Sequence, residues 1–154
     1  MRVLLIALAL TFSLAGPVAA REHVPFHGTL DGMATITPLS PPLLSVTIDA
    51  AGTASHLGRF TVNVPHVVNA QTRIAVGSYV FTAANGDTLR ATFTGQATLT
   101  ATPGVLAIAE EATITGGTGR FAGASGTFTT QRVFNQMTGW TSGSFAGTIS
   151  SPGA

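Results

Sequence analysis

The sequence predicts an all-β fold, an eight-stranded antiparallel up-and-down β-barrel. Three observations carry that expectation. Past the first twenty residues the apolar pattern repeats every second residue, turn-forming residues cut the chain at short intervals, and no window shows a helical stripe. In the stretch "TLRATFTGQATL" (88–99), Leu89, Ala91, Phe93, Ala97 and Leu99 share one face, while Thr, Arg and Gln occupy the other. That is a strand with one buried and one wet side.

Turn signals mark out runs at 26–37, 43–54, 56–64, 73–83, 87–99, 105–115, 125–134 and 138–149. Asn85-Gly86 predicts a two-residue type I′ hairpin, because that turn needs positive φ at both central residues. Pro103-Gly104 predicts another hairpin. Pro65 to Gln71 reads as a loop that places His66 outside any strand, and His56 falls at a strand start. Gly32, Gly95 and Gly147 interrupt three strands at unequal spacings, which suits bends in a closing barrel and not a solenoid. An outer-membrane barrel is disfavoured: the outward face is polar, and the chain has one Trp and one Tyr where aromatic girdles would be needed.

Residues 1–20 read as a signal peptide: Arg2, an apolar run from Val3 to Leu14, and a small-x-small end at Val18-Ala19-Ala20. The run is too short to span a bilayer. Residues 21–154 then form one domain with no membrane span, secreted or periplasmic. The absence of Cys despite export points to a bacterial source. Beyond Arg2, six arginines face six carboxylates and there is no Lys, so no basic stripe is available for nucleic acid.

The stretch "TITGGTGRFAGASGTF" (113–128) is dense in glycine. A dinucleotide loop requires a crossover helix and a later acidic residue, and a Walker loop requires Lys. The chain has no acid after Glu111 and no Lys, so a phosphate cradle is excluded. The glycines instead serve the backbone. Gly116, Gly117 and Gly119 supply positive φ, Phe121 plugs one barrel end, Arg120 points to solvent, and the chain turns back beyond Gly123.

The same segment, "ITGGTGRFAGASGTF", resembles the glycine-rich segment of allene oxide cyclases and dirigent proteins, above all the bacterial exported members of that barrel superfamily. The resemblance extends along residues 26–150. It implies an eight-stranded barrel with an apolar cavity, a homo-oligomer, commonly a trimer, and two activities known in relatives. These are cyclisation of an unsaturated epoxide and stereochemical steering of phenolic radical coupling. The aromatic-His-Asp segment of plant dirigent proteins has a partial counterpart in "PFHGTLDG", where Gly28 stands in place of the acid.

Among polar residues Glu110 stands out. It shares parity with Leu106, Ile108, Ala112 and Ile114, and Arg132 shares parity with Phe128 and Phe134 on the following strand. Three readings follow: a solvated Glu110 near the rim, an ion pair with Arg132, or a cavity acid that polarises a ligand. Glu110, Arg132, Phe93 and Phe128 are the candidate ligand-binding residues, and Glu110 is the candidate catalytic one. His23 and His27 lack further ligands nearby, so no metal or other cofactor is expected. Ser125 lacks the second glycine of a nucleophile elbow. Trp140 reads as a packing residue. The leading functional expectation is non-catalytic binding of a small apolar or amphipathic molecule. The alternatives are a cyclase or isomerase that steers a reactive substrate, and a scaffold whose barrel is filled solid.

Overall fold

Alternating side chains build eight strands in the computed structural model, which describes residues 21–150. They are β1 (His23–Pro38), β2 (Leu43–Ala54), β3 (Gly58–Asn69), β4 (Ile74–Ala83), β5 (Thr88–Leu99), β6 (Val105–Gly117), β7 (Gly126–Asn135) and β8 (Trp140–Ser150). Each strand pairs antiparallel with the next, and β8 returns to β1, closing the barrel. Closure removes both sheet edges, so no unpaired ladder is left to template aggregation. The expected signal peptide lies outside the described residues. The short links alternate between ends, which assigns each loop to one mouth of the barrel.

Barrel interiors are filled by adjusting side-chain size between neighbours, and this one does so by register. One ring of paired positions reads His66–Gly77–Phe93–Ala112–Phe128–Gly147, large and small in turn. A Cβ at Gly147 would come within 2.5 Å of the Phe128 Cα, and one at Gly95 would stand 2.8 Å from the Glu110 Cγ. The mid-strand glycines expected as bends therefore act as sites of close approach, leaving their space to the neighbouring large side chain.

Half of the interior is solid. Phe26, Phe60, Phe81, Phe128 and Phe145 pack against one another with Tyr79, mostly edge-on or tilted at centroid distances of 5.1 to 6.4 Å. Tyr79 and Phe81 are stacked, 5.4 Å apart. Fully buried aromatic rings contribute area burial and a further favourable edge-to-face term.

Three sequence expectations are corrected here. β3 does not stop at Val64 but continues through Pro65 and His66 to Asn69. Its ladder with β4 skips from Asn63↔Val80 to His66↔Gly77, so the proline sits where no N–H is called upon. The Asn85-Gly86 turn is a three-residue loop, Ala84 to Gly86: the Ala83 N–H donates to the Asp87 carbonyl at 2.9 Å. Gly86 alone takes positive φ (89°); Asn85 uses its side-chain oxygen to accept from the Asp87 N–H at 3.0 Å. That is a type I turn followed by a left-handed glycine. His56 lies in the β2–β3 turn at φ 64°. The hairpin at Pro103-Gly104 joins adjacent β5 and β6 as expected.

The glycine-rich loop closes the solid end. A single 3-10 turn, Gly119–Phe121, follows β6 and drives the Phe121 ring into complete burial. Gly116 and Gly119 do adopt positive φ, at 130° and 56°. Gly117 does not; its missing side chain admits Phe121, whose Cβ would stand 2.8 Å from a Cβ placed there. Asp87 holds the loop from the β4–β5 hairpin, accepting from the Arg120 N–H at 3.3 Å. The Arg120 guanidinium is 3.8 Å from that carboxylate and lies 5.0 Å over the Phe121 ring, so it covers the plug instead of standing free in solvent.

A stability order follows for three variants. Phe121→Ala is expected to cost about 3–5 kcal/mol, as for a buried aromatic removed from a packed site. Gly119→Ala costs less but still more than about 1 kcal/mol, since the left-handed backbone opposes any Cβ. Arg120→Ala costs under about 1 kcal/mol, because its ion pair is long at 3.8 Å and partly open to solvent. Denaturant melts with a common m-value check the ranking; an Arg120 variant as damaging as Phe121→Ala contradicts the plug.

Candidate functional site

Where the aromatic packing stops, the barrel carries a buried polar cluster. Glu110 projects inward from β6 and is 1% exposed, so the solvated-rim reading is overturned. Its position pairs with Thr130, and that of Arg132 pairs with Ile108, so acid and base meet diagonally across β6 and β7. Arg132 approaches Glu110 side-on: its Nη2 donates to Oε1 at 2.8 Å and its Nε to Oε2 at 3.4 Å. Nη1 donates to Thr141 Oγ1 at 3.0 Å, and Thr141 in turn donates to the Val133 carbonyl. Tyr79 completes the cluster from β4 with a short O–H bond to Glu110 Oε2. The phenol oxygen also lies 3.2 Å from Thr130 Oγ1, where the threonine hydroxyl supplies the proton once the phenol's own is committed. Among the described residues, no buried side-chain nitrogen or oxygen lacks a partner.

Electrostatics fix the protonation of two members. Burial pushes the Tyr79 phenol well above its ordinary value of 10, and the Glu110 carboxylate beside it adds to the rise. Tyr79 is therefore a neutral donor. Burial also holds His66 below its ordinary 6.5, against the opposing pull of its bond to Val64, and the Arg132 charge lowers it further. His66 is therefore a neutral ring.

Above this cluster the barrel opens. A cavity of about 380 Å³ occupies the mouth formed by the β1–β2, β3–β4, β5–β6 and β7–β8 loops. That volume falls within the range of small-molecule sites, roughly 300–1,000 Å³. Its walls are chiefly aliphatic, with Val46, Ile48, Ala75 and Ile108 deep inside and Ile36 and Leu99 at the rim. His66 and Arg132 are its two deep polar residues; Arg73 and Gln96 sit nearer the opening. A wider trough of about 680 Å³ crosses the outside of β4 to β8 over Thr92, Thr113 and Thr127, but it is open to solvent and offers no recessed polar group.

Sequence and structure agree unevenly on the site. Arg132 lines the cavity. Glu110 does not: it stands behind Arg132, bound by it and by Tyr79, so it acts on a ligand only through them. Phe93 and Phe128 are buried in the filled interior and are absent from the cavity walls. The loop residues Gly116, Gly117, Gly119, Arg120, Phe121 and Gly123 lie at the opposite end. Trp140 is exposed on β8 opposite Met33, and His23 and His27 sit on the outer face of β1. No group of three metal-ligating side chains occurs among the described residues. His66 and Tyr79 are the residues of the candidate site that the sequence reading missed. The signal for His66 was its shared parity with Val62 and Val64, hidden by Pro65.

Three outcomes follow. Arg132→Met leaves Glu110 buried without its cation and is expected to lose about 3–5 kcal/mol, while adding Glu110→Gln recovers part of the loss; denaturant melts of the single and double variants measure it. Tyr79 is the only tyrosine, so absorbance at 295 nm reports it alone. Its folded pKa is raised, so its stabilisation is complete below about pH 10 and lost as pH rises further; tyrosinate is expected to appear together with unfolding. His66 has a depressed folded pKa, so its contribution is complete above about pH 6.5 and lost as pH falls through the folded value. His66→Gln is expected to flatten that acid slope in melts between pH 4 and 7.

No protein-family model and no curated protein sequence matches this chain. Solved structures do. One titled "Structure of the pterocarpan synthase dirigent protein GePTS1" is 15% identical, with a TM-score of 0.56 over 93% of this chain and 99% of that one. A second, the pterocarpan synthase dirigent protein PsPTS1, is 11% identical, with a TM-score of 0.59 over 86% of this chain and 97% of that one. The chain shares the eight-stranded barrel fold of these dirigent proteins.

Proposed function

We propose that the protein takes a small, amphipathic, reactive molecule into its mouth cavity and steers its reaction by holding one conformation. The observation that carries this reading is the cavity itself: about 380 Å³ with mainly aliphatic walls and a buried guanidinium at its inner end. Steering of this kind asks little of the protein beyond shape and one or two fixed polar contacts, because restricting the geometry of the reacting groups supplies the effect. Likeness in fold to dirigent proteins supports steering over plain binding, the reading that the sequence alone put first. Arg132 is the charged group in contact with the ligand; Glu110 and Tyr79 hold it in place. The same reading makes residues 1–20 an export signal, with an N-terminus at Arg21 in the exported protein, which mass spectrometry reads directly.

Two measurements test the proposal. N-phenyl-1-naphthylamine, a neutral fluorophore, is expected to brighten on binding, and Ala75→Phe, which fills the cavity wall, is expected to abolish the signal while the melting temperature stays within a few degrees. Coupling of 4-hydroxycinnamyl alcohol driven by persulfate is then run with and without protein and resolved by chiral chromatography. An enantiomeric excess that Ala75→Phe removes supports steering. Binding with a racemic product reduces the function to plain binding, and absence of binding overturns the cavity reading.

A further inference from the structure

The polar groups at the inner end of the cavity have unused hydrogen-bonding capacity of opposite kinds. Arg132 carries five N–H donors, and three are used, two on Glu110 and one on Thr141. The remaining two belong to the terminal nitrogens of a guanidinium that forms part of the cavity wall. No acceptor takes them among the described residues.

His66 supplies the complement. Its Nδ1 lies 2.9 Å from the Val64 carbonyl oxygen, and a carbonyl can only accept, so Nδ1 carries the proton. In a neutral ring Nε2 is then a bare acceptor. Nε2 has no protein partner among the described residues, although the residue is only 7% exposed and lines the cavity. The ring is held in place by Phe93, edge-on at 5.7 Å, and by Gly77, where any side chain would strike the His66 Cβ. An acceptor and two donors thus stand at the inner end of a chiefly aliphatic chamber.

We propose that His66 and Arg132 together form a hydroxyl-reading site, so that the molecule taken into the cavity is apolar and carries a neutral hydroxyl at its leading end. This rests on the cavity reading above and names its ligand chemistry. A hydroxyl is donor and acceptor in one atom: it gives its proton to His66 Nε2 and accepts from the Arg132 guanidinium. An ether can only accept, which leaves Nε2 unpaired. A carboxylate satisfies Arg132 but sets a lone pair against Nε2. A site built to bond a hydroxyl rejects analogues that lack it, because an analogue filling the cavity shuts Nε2 and the free guanidinium N–H groups away from water without pairing them.

The test uses 2-naphthol, 2-methoxynaphthalene and 2-naphthoate at pH 7.5 with the full domain, residues 21–154. They share one bicyclic body and differ at a single group. The expected result is binding of 2-naphthol at least about tenfold tighter than either analogue by calorimetry. His66→Phe is expected to bring 2-naphthol down to the level of the ether while leaving the ether unchanged, and His66→Gln, which keeps an acceptor, is expected to restore part of the preference. Should His66→Phe fail to fold, the ¹⁵N shift of His66 Nε2 in the wild-type protein decides: it moves on adding 2-naphthol and stays fixed with the ether. Equal affinity for all three ligands, or an unmoved Nε2 signal with naphthol bound, overturns the hydroxyl site and leaves the cavity reading standing. Failure of all three to bind overturns both.

Discussion

The ion pair between Glu110 and Arg132 is the constraint around which the rest of the barrel is arranged. Two opposite charges removed from water are tolerated only when both are paired and their remaining hydrogen-bonding capacity is met. Tyr79 and Thr141 do most of that for the pair, and Thr130 backs Tyr79; they come from β4, β8 and β7, while Glu110 itself comes from β6. Four strands are thereby fixed in register at one level of the barrel. A slip of one residue in any of them would turn a member of the cluster outward and leave its partner stranded.

That level is also the boundary between the two halves of the interior. On one side the aromatic side chains and the Phe121 plug leave no space; on the other the walls are aliphatic and small, and the space remains. The ring of large and small neighbours explains the filled half. Each inward glycine or alanine stands beside a ring that needs its volume, so packing is complete without strain. Toward the mouth the rings no longer meet across the barrel, and small residues such as Ala75 and Ala97 leave a chamber in place of a core.

The strands were legible because alternation is a local property, and the Glu110–Arg132 contact was legible because both residues share parity with apolar neighbours. Other features depended on facts that alternation does not carry. His66 was hidden by Pro65, which reads as a turn in isolation but occupies a strand position where the β4 ladder makes no bond. Asn85-Gly86 carried the composition of a two-residue turn, yet the side chain of Asn85 bonded forward to Asp87 and one more residue entered the loop. The cavity was not legible at all. Parity says which side chains point inward, but whether they meet across the barrel depends on summed volumes at each level. That sum placed Phe93 and Phe128 in the filled half and Glu110 behind its own partner.

The plug at the glycine loop has a consequence for traffic. With Phe121 fully buried and Leu57 2% exposed at that end, the described residues leave the chamber a single doorway, ringed by the opposite four loops. A guest cannot pass through; it backs out by the path it entered, with its first-admitted atoms leaving last. For the hydroxyl-tipped ligand proposed above, the polar end travels the aliphatic corridor before meeting Arg132, so desolvation precedes capture. In the proposed steering role, a product formed inside leaves facing the way its precursor came in.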